Sequence, residues 1–148
     1  MNAFRKLLIP TDFSMAAWNA VQQGLKMIEP DGVLTLLHVF PSRAKFSTED
    51  AQGEDPDESL KDVLKTQLDE FCSSLRRHRD FEVISVILHG DVDEEIVSFI
   101  QKNEFDAVIM GINSNGLDNE PGSHIKDILA KANLPVMVVP NQLEKIYT

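Results

Sequence analysis

The sequence is poor in cysteine, with Cys72 alone among its 148 residues. A single thiol excludes a disulfide within the chain and fits a reducing compartment. Cys72 falls on the apolar stripe of a helical pattern, so we expect a buried, unreactive thiol rather than a reactive one.

Long apolar runs are also missing. No stretch approaches the roughly 20 residues that a membrane-spanning helix requires, and the first residues do not join a basic segment to a long apolar one. These absences predict a cytoplasmic protein with no membrane partner. Hydrophobic residues make up 43% of the 148 residues, which is enough for one core, so we expect a single domain over 1–148.

Basic residues are scarce, because 14 Lys and Arg stand against 24 Asp and Glu, a formal net charge of -10. Nucleic acids and anionic membranes are bound mainly through Lys and Arg. The charge balance therefore argues against nucleic acid as a partner.

Residues for metal binding or catalysis form no pattern. His38, His78, His89 and His124 share no metal-ligand spacing and have no accompanying cysteine, so no metal site is expected. There is no G-x-S-x-G nucleophile motif and no nameable acid–base pair, so an efficient enzyme is not expected. His38 interrupts an apolar run, and we expect it to be hydrogen-bonded at the end of a strand.

What the sequence does contain is a regular alternation of strand and helix patterns. Five short apolar runs predict strands: Phe4–Ile9, Val33–Phe40, Phe81–Leu88, Phe105–Met110 and Val136–Val139. Four amphipathic segments predict helices: one capped by Ser14 and stopped at 29–32, one over Leu60–Leu75, one over Val92–Ile100, and one capped by Ser123. Such alternation is typical of an α/β fold with a parallel sheet covered on both faces.

Two loops of such a sheet carry the functional prediction, because ligands bind at the carboxyl ends of strands, where strand order reverses. Asp12 follows the first strand, and the Gly-rich stretch 111–123 follows the fourth and leads into a helix. A glycine-rich loop before a helix N-terminus favours anions. The acidic stretch 41–57 is longer than ordinary connections, and we interpret it as a lid.

Charge opposes a phosphate in the second loop. The loop carries Asp118 and Glu120, with no Lys or Arg before Lys126. One carboxylate about 8 Å from a phosphate charge repels it by roughly 2 kcal/mol at an effective dielectric near 20. A divalent cation held by these acids would reverse the sign. Two simpler interpretations stay open: Gly122–Ser123 as an ordinary helix start, and Asp12 as a turn residue bonding nearby N–H groups.

Several segments together resemble the universal stress protein family. They are Lys6–Ser14 (KLLIPTDFS), Leu36–Val39 (LLHV), Gly90–Asp91, Asp106–Gly111 (DAVIMG), Gly122–Ser123 and Leu134–Val139 (LPVMVV). The resemblance runs nearly end to end. It implies a stress-response regulatory protein with a Rossmann-like, five-stranded parallel sheet of order 3-2-1-4-5, helices on both faces, and often a dimer.

Family members that bind ATP share positions with this chain. The resemblance implies that Asp12 and Val39 lie near adenine, and that a loop of form G-x2-G-x9-G-[S/T] surrounds ribose and phosphates through Gly111, Gly122 and Ser123. Two departures stand out, because Ser114 occupies the second glycine position and seven residues, not nine, separate it from Gly122. The predicted cofactor-binding set is Pro10, Asp12, Val39, Met110, Gly111, Ser114, Gly122, Ser123 and His124.

Two functional hypotheses follow. The first is a switch that binds ATP or another adenine nucleotide, with or without Mg²⁺, with at most slow ATP hydrolysis. The second is a dimeric protein-interaction module that binds no ATP. In both, the edge strand 135–140 is expected to join two copies of the chain. The alternative is that the tail 141–148 covers this strand.

Overall fold

A computed structural model describes residues 4–41, 56–76, 80–112 and 123–140. The strands are β1 (Phe4–Pro10), β2 (Ile28–Phe40), β3 (Glu82–His89), β4 (Ala107–Ile112) and β5 (Val136–Pro140). The helices are α1 (Met15–Met27), α2 (Pro56–Arg76), α3 (Val92–Lys102) and α4 (Ser123–Lys131). The predicted alternation of strands and helices is confirmed.

The five strands form one sheet of order β3-β2-β1-β4-β5, and every pair is parallel. β1 is central and pairs with β2 on one side and with β4 on the other. The order 3-2-1-4-5 and the Rossmann-like fold class are therefore confirmed.

Successive side chains of β1 point to opposite faces of the sheet and pack into two separate cores. Leu7 and Ile9 pack with α1 and α2 on one face, and Leu8 packs with α3 and α4 on the other. All three side chains are fully buried, and each such burial contributes roughly 1.5 to 3 kcal/mol relative to exposure. Helices thus cover both faces, as predicted.

Cys72 lies in the α1–α2 core and is fully buried. Desolvation by burial raises the pKa of its thiol, which keeps the sulfur protonated. The expected unreactive environment is confirmed for this residue.

The boundary between α1 and β2 differs from the prediction. The turn-forming segment 29–32 does follow the helix end, but it lies inside β2 as a bulge, because the β1 pairing shifts between Phe4↔Ile28 and Lys6↔Val33. Asp31 adopts a left-handed φ of 67°, and its N–H donates to the carbonyl of Asp80 at 3.0 Å. The turn residues 29–32 form a bulge within the strand. β2 therefore begins at Ile28 rather than Val33.

α4 begins at Ser123 itself, so this serine lies in the first turn rather than before it. Most of the predicted lid 41–57 lies outside the described residues. Within the residues that the structure describes, no helix is long and apolar enough to cross a membrane.

Candidate functional site

A cavity of about 180 Å³ lies at the carboxyl ends of the central strands. The cavity lies at the end of β1, which has β2 on one side and β4 on the other. This is the point where the strand order reverses. Its lining residues are Pro10, Thr11, Asp12, Ala17, Leu37, Val39, Val92, Ile96, Met110 and Gly111. We call it the switch-point cavity.

The walls of the switch-point cavity are largely apolar. Val39 of β2 and Met110 of β4 both belong to the α3–α4 core, and Ile96 lines the cavity from α3. Whole small-molecule sites usually measure roughly 300 to 1,000 Å³. The volume lined by the described residues, about 180 Å³, is smaller than that range.

The loop from β1 to α1 forms the polar side of the cavity. Thr11 N–H donates to the carbonyl of Leu37 at 2.8 Å, which ties the loop to β2. Asp12 Oδ1 accepts from Ser14 N–H at 2.9 Å, and Ser14 Oγ accepts from Ala17 N–H at 3.2 Å as the N-cap of α1. These bonds satisfy donors that a helix start leaves unpaired.

The turn interpretation of Asp12 is confirmed, and its contact with a ligand stays a prediction. It is a turn residue that bonds a nearby backbone N–H, and it also lines the cavity. Asp12 Oδ2 has no hydrogen-bond partner among the described residues, and the side chain is solvent-exposed. An acceptor oxygen is thus available at the rim.

Gly111 has a structural reason to lack a side chain. A Cβ at this position would lie 2.7 Å from the backbone nitrogen of Ala17 and closer still to the carbonyl of Ala16. The first turn of α1 therefore packs directly on the end of β4. Sequence reasoning assigned this glycine to ligand contact, whereas the structure shows a close helix–strand approach at the same place.

The predicted site residues fall into three groups. Five of the nine, namely Pro10, Asp12, Val39, Met110 and Gly111, line the switch-point cavity together. Ser123 and His124 lie in the first turn of α4, whose backbone alone is described there. Ser114 and Gly122 lie outside the described residues, so the predicted phosphate loop stays a prediction.

Sequence reasoning missed the cavity's side facing α3. Val92 and Ile96 lie in the segment predicted as a helix and were not assigned to a site. Gly90 and Asp91 provide the signal that was available: Gly90 has a φ of 140°, and Asp91 Oδ1 caps α3 by accepting from Glu94 N–H at 3.0 Å. A sharp strand-to-helix turn brings the start of α3 over the ends of β1 and β2.

Acidic residues occupy the first turn of only one of the two helices that start at the cavity. α3 carries Asp93, Glu94 and Glu95 in its first turn, whereas α1 carries no acidic residue there. Among the described residues, no group of three or more His, Cys, Asp or Glu side chains is arranged to hold a metal ion.

Comparison with known proteins identifies relatives of this chain. The sequence model of the universal stress protein family matches residues 3–140. Universal stress protein G of Shigella flexneri is 25% identical over 142 residues, which cover 92% of this chain and 99% of that protein.

Solved structures agree in fold. Hypothetical protein MJ0577 superposes with a TM-score of 0.74 and 27% identity over 95% of this chain and 98% of that chain. A universal stress protein family protein from Arabidopsis thaliana, solved with AMP bound, has a TM-score of 0.62 and 19% identity over 95% of this chain and 94% of that chain.

Proposed function

This chain belongs to the universal stress protein family, and we propose that it binds an adenine nucleotide in the switch-point cavity. In this proposal the nucleotide is a regulatory ligand, and the protein is a stress-response switch rather than an efficient enzyme. One observation carries the proposal: five of the predicted site residues lie together in a single apolar cavity at the reversal of strand order.

The base is the part of the nucleotide that the cavity suits. Adenine is flat and largely apolar on its faces, and the walls formed by Val39, Met110 and Ile96 offer apolar contact on more than one side. Its amino group, or a ribose hydroxyl, is a donor that Asp12 Oδ2 at the rim can accept. A pocket of apolar walls with a few placed polar groups is the usual form of a cofactor site.

The phosphates are expected to extend over the rim toward Ser114, Gly122, Ser123 and His124. This part of the proposal draws on the family resemblance and on the solved relative with AMP bound. Asp118 and Glu120 make Mg²⁺ the natural companion of a triphosphate, since a bridging cation converts their repulsion into attraction.

Thermal unfolding tests the proposal. We expect millimolar ATP with Mg²⁺ to raise the melting temperature, because a ligand at one hundred times its dissociation constant adds about 2.7 kcal/mol. Val39→Phe fills the cavity and is expected to abolish the shift. Val33→Phe, at the other end of the same strand, is the matched control and is expected to keep it. An equal shift in both variants would place the ligand elsewhere.

A second function, a dimeric interaction module, is favoured by the contrast between the two sheet edges. On the β3 edge, Lys65 Nζ donates to the carbonyl of Ser85 at 3.0 Å, and Arg76 Nε donates to that of Val83 at 3.1 Å. Asp69 accepts from both Ser85 and Lys65, and these bonds hold its pKa below the ordinary value. Side chains of α2 thus occupy carbonyls that an added strand needs.

On the β5 edge one such side-chain bond is described, from Asn19 Nδ2 of α1 to the carbonyl of the last residue, Pro140, at 3.2 Å, and the carbonyls of Val136–Val139 have no side-chain partner among the described residues. Val138 is 39% exposed there, and we propose that this edge joins two copies of the chain. Sedimentation is expected to show a dimer that Val138→Lys converts to a monomer. Ile84→Lys, on the exposed side of β3, is expected to leave the dimer intact. A monomeric wild type would favour the alternative in which the tail 141–148 covers β5.

A further inference from the structure

His38 contacts the loop that carries Asp12. Its Nδ1 lies 2.7 Å from the carbonyl oxygen of Thr11. Because a carbonyl oxygen only accepts, the ring nitrogen has to donate, so Nδ1 carries the proton. The expected hydrogen bond of His38 at the end of its strand is confirmed, and its partner is the first residue of the β1–α1 loop.

The same ring also contacts the other end of the loop. Phe13 has a left-handed φ of 65°, a conformation that residues with bulky side chains rarely adopt. Its ring centroid lies 4.7 Å from that of His38, with the planes tilted by 50°. Its N–H donates to Thr11 Oγ1 at 3.1 Å. Such a backbone persists only when the surrounding contacts hold it.

Asp12 lies between these two anchored residues. Thr11 is held through its carbonyl and Phe13 through its ring, both by His38. The described contact of Asp12 itself is the bond from Ser14 N–H, which lies within the same loop. The direction of Asp12 Oδ2, which has no partner among the described residues, therefore depends on how His38 holds the loop.

His38 acts from outside the switch-point cavity. Leu37 and Val39 point to the α3–α4 side of the sheet and line the cavity. Strand alternation places His38 on the opposite side, with Leu36 and Phe40. Any effect of His38 on a ligand in the cavity is thus transmitted by the loop, not by contact.

We propose that His38 is a positioning residue of the nucleotide site: it fixes the Thr11–Phe13 loop so that Asp12 faces the switch-point cavity. The inference rests on the proposed function for its effect on ligand affinity. Its structural half, the anchoring of the loop, stands independently of any ligand.

Three substitutions separate the two contacts. His38→Ala removes both, His38→Asn keeps a donor close to the Nδ1 position, and His38→Phe keeps a ring without the donor. His89→Ala is the matched control, because His89 also ends a strand and its described ring contact is with Phe40, at 5.7 Å.

Calorimetric titration with AMP measures the effect on the site. We expect His38→Ala to weaken AMP binding by roughly tenfold, which corresponds to about 1.4 kcal/mol. His38→Asn is expected to restore most of the affinity, and His89→Ala to leave it unchanged. In an Asp12→Ala background, His38→Ala is expected to cause no further loss. An equal loss in both backgrounds would overturn the positioning role, because a general structural defect does not depend on Asp12.

Amide hydrogen exchange tests the anchoring without a ligand. The N–H groups of Phe13 and Ser14 are both hydrogen-bonded inside the loop. His38→Ala is expected to accelerate their exchange, and His38→Asn is expected to preserve their protection. Unchanged exchange in His38→Ala would refute the inference. Failure of the wild type to bind AMP, with loop exchange as expected, would refute the proposed function alone.

Discussion

Two helix starts border the switch-point cavity, and they are built alike but charged differently. α1 is capped by Ser14 and α3 by Asp91, and each cap accepts from the backbone N–H three residues on. Ala17 of α1 and Val92 of α3 both line the cavity. The first turn of α3 carries three acidic side chains, whereas that of α1 carries none.

This contrast teaches that local charge, not net charge, decides where an anion can go. The N-terminal end of a helix carries a partial positive charge, equivalent to about half an elementary charge. At α3 the chain's own carboxylates compensate it. At α1 the first turn adds no carboxylate, and Asp12 of the preceding loop is bonded to Ser14 N–H, so the compensation is weaker there, even though the whole chain has a net charge of -10. The phosphates of a bound nucleotide are therefore expected to avoid the start of α3.

The largest expected effect on stability comes from displacing the start of α1. Gly111→Ala places a Cβ against the backbone of Ala16 and Ala17, which cannot turn aside as a side chain can. We expect a loss of about 1 to 3 kcal/mol in the free energy of unfolding, measured by urea denaturation. ATP affinity is expected to fall as well, because the start of α1 must shift.

Gly24→Ala is the matched control for this prediction. It lies toward the other end of α1, where the nearest atom to a new Cβ is the flexible Cδ1 of Ile9 at 2.7 Å. The higher helix propensity of alanine offsets part of that contact. A destabilisation by Gly24→Ala as large as that of Gly111→Ala would contradict the special role of the approach at β4.

The second prediction tests whether the two starts are equivalent in construction. Ser14→Ala and Asp91→Ala each remove the side chain that caps a helix. Each is expected to lower the free energy of unfolding by about 1 kcal/mol, measured by chemical denaturation. If only one substitution destabilised the protein, the two starts would differ in more than charge.

The third prediction makes α1 resemble α3. Met15 is 64% exposed in the first turn of α1, so Met15→Glu adds a carboxylate without disturbing the core. Its interaction with the helix dipole is expected to raise the free energy of unfolding by about 0.3 to 1 kcal/mol while weakening ATP binding. Met15→Gln serves as the uncharged control, and adenosine affinity is expected to stay the same. A parallel loss of adenosine binding would show that charge is not the cause.

The smallest effect is expected from the reverse change. Glu94→Gln removes one exposed acid from the first turn of α3. Stability is expected to fall by about 0.3 kcal/mol or slightly more, and ATP affinity is expected to rise slightly at low salt. Both are measured by thermal unfolding with and without ATP. Weaker ATP binding in this variant would contradict the proposed direction of the phosphates.

The fold could be predicted from local patterns. Buried parallel strands appear in the sequence as short apolar runs, and amphipathic helices appear as apolar residues three and four positions apart. The bulge in β2 was not predictable in this way, since 29–32 contains ordinary turn residues, and only pairing with β1 shows that the strand continues through them. Val39 and Gly111 were assigned through the family resemblance, and the structure brings both to the same cavity.

Long-range packing accounts for what sequence reasoning missed in the site. Ala17 and Ile96 are unremarkable helix residues in the sequence, and they become lining residues only through the placement of α1 and α3 on the sheet. Gly111 fits a ligand motif and a packing requirement equally well. Only the short distance from a Cβ at Gly111 to the backbone of α1 reveals the packing requirement.

The most direct test of the central proposal is a nuclear magnetic resonance titration of the ¹⁵N-labelled protein with AMP. We predict that the largest amide shifts occur at Thr11, Val39 and Gly111, which border the switch-point cavity from three different strands and loops. Saturating AMP that leaves these amides unmoved, or moves mainly residues remote from the cavity, would contradict the assignment of an adenine site to this fold's switch point.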